Sequence, residues 1–281
     1  MDHAPMQGKT IIVTGANRGL GREMTLQLAT MGAKVIMACR SVEHANQVKS
    51  ELMSENATAQ LQVMALDLVD RQSIETFAES FMKEYHTCDV LLNNAGVQTP
   101  DRQLTANGVE LTFAINVLGP QILTQKLLPA LQAAPAARIV NVASDYAGGL
   151  DLDDLNFDRR KYDANAAYKQ SKQANRMLTR EWARRLTTDQ ITVNSMTPDL
   201  VAATDLFRHQ PAPVKMLLRF IGFFVGASIE QGADTAVWLA SAPEIAESSG
   251  GYYRKRRKKN CLFEDKQAEE ELWQKCETLS G

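Results

Sequence analysis

The stretch "YKQSK" sets Tyr168 and Lys172 four positions apart. On an α-helix that spacing puts both side chains on one face, one turn apart. A free phenol has a pKa of about 10, a poor match for proton transfer near neutrality. An ammonium on the same face is expected to stabilise the phenolate and lower that pKa. Tyr168 can then give a proton to a carbonyl oxygen or take one from an alcohol. Ser144 follows the apolar run "RIVNVA". At the end of a strand its hydroxyl can hold a substrate oxygen beside the phenol.

A second group sits near the start. "TGANRGLG", residues 14–21, follows the β-branched run "TIIV" and holds Gly15, Gly19 and Gly21 around Arg18. A glycine-rich turn between a strand and an amphipathic helix is a place for a dinucleotide's pyrophosphate, because the helix N-terminus offers unsatisfied N–H groups and a positive dipole end. Gly15 permits the tight turn; a Cβ at Gly19 or Gly21 would block phosphate approach or helix packing. Asn17 and Leu20 belong to the same turn and are expected at the cofactor.

These groups need a scaffold, and the sequence supplies one. Short apolar runs recur: "TIIVT" (10–14), "KVIMA" (34–38), "LQVMAL" (61–66), "DVLLN" (89–93), "RIVNVA" (138–143) and "ITVNSM" (191–196). Helical spacing fills the gaps. Leu20, Met24, Leu28 and Met31 form one face, and Gly32 stands where a left-handed cap would close that helix. Leu178, Trp182 and Leu186 do the same after Lys172. Strands alternating with helices predict a Rossmann-like, doubly wound α/β sheet. Its parallel strands are covered on both faces, hence the continuous apolar runs. The expected order is 3-2-1-4-5-6, with a seventh strand near "GGYYR" (250–254). No low-complexity linker or repeat divides the chain, so residues 1–281 are read as one domain. That reading includes a substrate lid around 199–228 and a C-terminal extension over 254–281.

Composition narrows the function. The 281 residues are 44% hydrophobic, enough for a large core. Thirty-one basic against 33 acidic residues, with only 6% aromatics, argue against a nucleic-acid partner. Cys39, Cys88, Cys261 and Cys276 form no CxxC pair, and the four histidines are scattered, so neither a disulfide framework nor a metal site is expected. "MDHAPMQGKT" has no apolar signal core, and no run reaches a membrane span; "MLLRFIGFFVGA" (216–227) is short and broken by Arg219. The basic run "RKRRKK" (254–259) reads as a flexible exposed loop, with an anionic membrane contact or an import address as sharper alternatives.

Together "TGANRGLG", "LDL" (66–68), "NNAG" (93–96), "IN" ending at Asn116, Ser144 and "YKQSK" resemble the short-chain dehydrogenase/reductase family, in its order and over about residues 8–253. The insert between Ser144 and Tyr168, "ACR" at 38–40 and "ELW" at 271–273 resemble its retinol dehydrogenase-like branch. The resemblance implies that Asn116, Ser144, Tyr168 and Lys172 are catalytic, with Asn116 supporting a water relay from Lys172. It places Asp67 and Leu68 at the adenine, Asn94, Ala95 and Gly96 along the cofactor's middle, and Pro198 and Thr204 near the nicotinamide. The family usually has Pro-Gly where this chain has Pro198 and Asp199. Arg40 occupies the place of the acid that would bind the NAD ribose, and Arg18 is a second donor, so NADP(H) is the expected cofactor.

The expected activity is interconversion of an apolar aldehyde or ketone with its alcohol; the apolar 199–228 stretch fits such a small-molecule substrate. Two alternatives stand beside it. One is protochlorophyllide reductase-like double-bond reduction, hinted at by "TDLF" (204–207); the other is a catalytically weak NADPH-binding regulator. The resemblance also implies a homodimer or homotetramer through the helices after strands four and five. Without the N-terminal anchor of several animal retinol dehydrogenases, a cytoplasmic protein is expected. Lys215 and Arg219 beside apolar residues leave room for peripheral membrane contact.

Overall fold

The computed structural model describes residues 5–187, 189–198 and 228–280. The apolar runs form β1 (Thr10–Thr14), β2 (Lys34–Cys39), β3 (Gln60–Ala65), β4 (Val90–Asn93), β5 (Ala137–Val142) and β6 (Ile191–Met196). Tyr252–Arg254 is β7 and Arg257–Lys259 is β8. They make one eight-stranded sheet in the order β3-β2-β1-β4-β5-β6-β7-β8. Every pairing is parallel except β7 with β8. The strand order reverses between β1 and β4, whose strands stay parallel, so the loops after both strands open a crevice at the sheet's carboxyl edge.

Alternation along each strand sends neighbouring side chains to opposite faces. Ile12, Ile36, Leu91 and Ile139 enter one core; Ile11, Val13, Val35, Met37, Leu92 and Val140 enter the other. The second core is closed by α1 (Gly19–Thr30), α2 (Val42–Glu55) and a helix at Ile229–Ser241. In α1 Met24 and Leu28 are fully buried, Leu20 and Met31 pack at the margin, and Gly32 takes a left-handed φ of +91° at the close.

The first core is closed by α3 (Arg71–Glu84), α5 (Gly119–Gln132), α6 (Ala164–Arg185) and a C-terminal helix. A short turn α4 (Leu111–Phe113) leads through a π-helical turn, Ala114–Leu118, into α5. The helix at Ile229–Ser241 is α7 and the C-terminal one, Lys266–Ser280, is α8.

The basic run is a correction to the sequence reading. It is a two-residue hairpin, not a flexible loop: Arg254 pairs with Arg257, and Lys255 and Arg256 turn with φ of +51° and +56°. Those left-handed values match the twist of a hairpin but strain side-chain-bearing residues. Acids from neighbouring elements offset the repulsion. Asp145 pairs with Arg254 at 3.0 Å, and Asp234 of α7 holds Arg256 in a two-pronged contact. The Arg256 N–H also donates to Thr235 Oγ1.

The C-terminal extension is a docked helix. Trp273 meets Trp182 of α6 edge-on at 4.7 Å between centroids, and Leu272 and Cys276 are fully buried. Buried Glu269 accepts from Arg180 Nε at 2.6 Å and pairs with Arg184, while Gln125 of α5 bonds Glu277. Helix α8 thus lies on α5 and α6, the pair through which the resemblance expects subunits to meet. Among the described residues no helix is long and apolar enough to cross a membrane. Trp273→Ala should cost about 3 kcal/mol of unfolding free energy, the usual cost of emptying a buried aromatic site. Urea unfolding measures it; a loss under about 1 kcal/mol would mean α8 adds little to the core.

Candidate active site

The glycine turn is built around Thr14 and Asn94. Thr14 Oγ1 donates to the Leu92 carbonyl and accepts from the Asn94 and Ala95 N–H groups at 3.0 and 2.9 Å. Asn94 Nδ2 donates to the Thr14 carbonyl at 2.8 Å. These bonds stitch together the carboxyl ends of β1 and β4. Gly15 turns with φ of +64°. At Gly21 a Cβ would stand 2.2 Å from the Gly15 oxygen and 2.6 Å from Asn94 Nδ2, so only glycine fits. At Gly19 the same position is open, and φ is +48°.

Helix α1 begins there with no side-chain cap and no acid in its first turn. Free amides, a positive dipole end and bare glycine backbone fit a dinucleotide's pyrophosphate. Asn17 is buried, and its Nδ2 meets His44 Nδ1 at 3.0 Å, tying the turn to α2. Arg18 and Arg40 are both exposed beside it. Ser41 caps α2 by accepting from the His44 N–H. Cys39, under the turn, accepts from the Ala16 and Asn17 amides, and burial pushes its thiol up to about 11. Asp67 accepts from the Val69 N–H through its carboxylate, and its own N–H donates to Ser73 Oγ. Leu68 packs so closely on Gly119 that a Cβ there would lie 2.5 Å from its carbonyl oxygen.

Asn116, Ser144, Tyr168 and Lys172 come together at the ends of β4 and β5. Asn116 sits mid-way in the π-helical turn, a local widening that often marks a functional position. Its side chain pairs with both backbone groups of Val97, at 2.8 and 2.9 Å, and donates to Ser171 Oγ at 3.0 Å. Ser171 in turn donates to the Tyr168 carbonyl. The 94–97 segment is thereby held over Lys172; a Cβ on Gly96 would come within 3.5 Å of Nζ.

Lys172 is 4% exposed, and Nζ donates to the Val142 carbonyl at 2.8 Å. Burial pulls its pKa down to about 8. Nζ lies 5.6 Å from the Tyr168 ring centroid. Tyr168 is 6% exposed, and burial pushes it up to about 12, partly offset by a hydrogen bond with Ser144. The expected lowering by Lys172 is not what sets the phenol: burial raises it, and the opposing pull comes from Ser144. Ser144 Oγ accepts from the Tyr146 N–H at 3.0 Å. Tyr146 is half exposed and stacks on Tyr168 at 6.4 Å.

Pro198 ends the described segment after β6 and accepts from Thr197 Oγ1. Thr204, Asp199 and the expected lid, apart from Ser228, lie outside the described residues. Thr14, Ser171, Tyr146 and Arg176 were not singled out from sequence; Arg176 could have been, since it continues the 168, 172 spacing by one more turn. Among the described residues no cluster of three metal-ligating side chains occurs. Gly21→Ala should lower unfolding free energy by about 1–3 kcal/mol, as overpacking does, and weaken nucleotide binding. Urea unfolding together with nucleotide titration checks both; unchanged stability would mean that Gly15 and Asn94 give way.

The family model for short chain dehydrogenases matches residues 9–214. Human retinol dehydrogenase 13 is 37% identical over 286 residues, spanning 99% of this chain and 86% of that protein. Human retinol dehydrogenase 12 is 36% identical over 279 residues, spanning 98% of this chain and 87% of its own. Among solved structures, an uncharacterised protein from Mycobacterium paratuberculosis superposes with a TM-score of 0.76 at 28% identity, covering 98% of this chain and 94% of the other. A short chain dehydrogenase from Shigella flexneri, complexed with NADP, gives 0.71 at 23% identity over 91% and 100% of the two chains, a likeness of fold. The glycine turn, the quartet at the ends of β4 and β5, and these matches agree: the chain belongs to the short-chain dehydrogenase family of nicotinamide-dependent oxidoreductases, on its retinol dehydrogenase-like branch.

Proposed function

We propose that the protein is an NADP(H)-dependent oxidoreductase that interconverts an apolar aldehyde or ketone with its alcohol. The observation that carries this is a buried, neutral phenol at Tyr168 hydrogen-bonded to Ser144, with the Lys172 ammonium beneath it. Gly15, Gly19 and Gly21 would hold the pyrophosphate, with Asn17 and Leu20 in the same turn. Arg18 and Arg40 would hold a 2′-phosphate, for which guanidinium is matched in charge and geometry. Asp67 and Leu68 would take the adenine, Asn94, Ala95 and Gly96 the middle, and Pro198 and Thr204 the nicotinamide end. When bound, the cofactor supplies or accepts the hydride.

The chain's own work is proton transfer and positioning. Ser144 Oγ accepts from the Tyr146 amide, which holds the hydroxyl beside Tyr168, where its proton can turn to a substrate oxygen. Tyr168 donates its proton to that oxygen as the alcohol forms, or accepts it back in oxidation. Lys172 holds positive charge near the phenolate left behind. Asn116 fixes the 94–97 segment that closes over Lys172. The apolar stretch 216–227 and the retinol dehydrogenase names of the relatives support a bulky apolar substrate.

The experiment follows NADPH against NADH consumption over aldehydes and ketones from small to retinal-sized. Turnover with NADPH on bulky apolar members is expected; tight NADPH binding without turnover on any member would overturn the enzyme reading in favour of a regulator. Tyr168→Phe should lower kcat about 100- to 10,000-fold, the range for a lost general acid, while nucleotide affinity persists. The pH profile of reduction tests the electrostatics. Lys172 is cationic below about 8 and Tyr168 stays protonated to about 12. Reductive kcat should therefore hold steady up to about pH 8 and fall above it as the ammonium is lost; a rate that rises through pH 8 would sink this assignment.

A further inference from the structure

Arg176 stands one turn beyond Lys172 on α6 and is 4% exposed. Its Nη2 donates to the Ser144 carbonyl and, at 2.6 Å, to the Tyr252 hydroxyl. Tyr252 donates onward to Asp145 Oδ1, which lies 3.5 Å from the same Nη2. Asp145 is anchored at its amide by Thr197 Oγ1 and at its other carboxylate oxygen by Arg254. The guanidinium lies 3.8 Å from the Tyr252 ring centroid and 5.4 Å from that of Phe263.

The spacing of these contacts is regular. Four helical residues rise about 6 Å, and two residues of extended chain advance about 6.6 Å. Lys172 and Arg176, four apart on α6, therefore meet the carbonyls of Val142 and Ser144, two apart at the end of β5. One cation grips each successive carbonyl on that side. Packing alone does not need this guanidinium. Burying it is costly, and its Nε lacks a hydrogen-bond partner among the described residues. An apolar side chain would fill the space beside Tyr252 and Phe263 without that penalty.

We propose that Arg176 is a positioning residue for Ser144. It fixes the serine's carbonyl while the Tyr146 amide fixes its hydroxyl, so that Oγ faces Tyr168 and the substrate oxygen. Through Tyr252, Asp145 and Arg254 the same clamp makes the β7–β8 hairpin a support of the site. The inference rests on the reading of Ser144 given under the proposed function.

The test is a double-mutant cycle on the full chain. Arg176→Met keeps the length and the stacking but removes the donors; Arg176→Lys returns a charge with a single point of contact. Arg176→Met should lower kcat about 100-fold, the scale of a misplaced reacting group. NADPH affinity, read by fluorescence, should stay within about twofold. In a Ser144→Ala background Arg176→Met should cost nothing further, because the group it positions is gone. Arg176→Lys should recover part of the loss. The same loss in both backgrounds, or a fall in nucleotide affinity and Tm in step with kcat, would overturn the proposal. If the parent turns over no carbonyl, the proposed function falls by itself. The crystal structures of parent and Arg176→Met then decide this point: a displaced 144–147 segment upholds it and an unmoved one defeats it.

Discussion

A buried cation, the Lys172 ammonium on the Val142 carbonyl, ties α6 to the carboxyl edge of the sheet at the catalytic pair's own turn. A lysine head group taken from water loses several kcal/mol of hydration unless something replaces the solvent. Here the replacement is a strand-end carbonyl whose own position is set by β5's pairing with β4 and β6. The bond thus ties helix register to sheet register. Tyr168, one turn earlier, is placed by the same contact. So is Ser171, which supports both Asn116 and the Tyr168 carbonyl. Asn116 then sets the height of the 94–97 segment.

The glycine turn obeys a different constraint, crowding. Thr14 and Asn94 bring two strand ends so close that Gly21 has no room for a methyl group. The tight approach lets α1 begin directly under the turn with its amides uncapped. The buried end is rigid because several hydrogen bonds cross it; the outer rim, with Arg18 and Arg40, is exposed. A phosphate can therefore be met by fixed backbone and by adjustable side chains together.

Much of this was legible in the sequence because it rests on local pattern. The β-branched runs, the 20-24-28-31 stripe and Gly32 declare strands, a helix and its end through periodicity and chirality alone. The 168–172 pair shares a face by helix geometry. What could not be read depends on partners far along the chain. Tyr252 reaches Arg176 across 76 positions, and Thr14 reaches Asn94 across 80. The "RKRRKK" run reads as a flexible exposed loop because repulsion is visible in sequence, whereas Asp145 and Asp234 arrive only through the fold. The Tyr168 acidity was misjudged for a related reason: spacing reveals the ammonium but not the desolvation.

Strand β8 carries Arg257, Lys258 and Lys259, all exposed, at one border of the sheet. An outer strand offers unpaired amides to any other extended chain. Here a stranger must lay its backbone beside three cations to reach them. Two copies of the molecule meeting border to border would stack like charges at strand spacing, about 4.8 Å. The border thus resists self-association in dilute electrolyte, and added salt weakens that resistance by shortening the reach of the charges. One basic run thus serves twice: its first half is tied down by acids, and its second half keeps the sheet from growing.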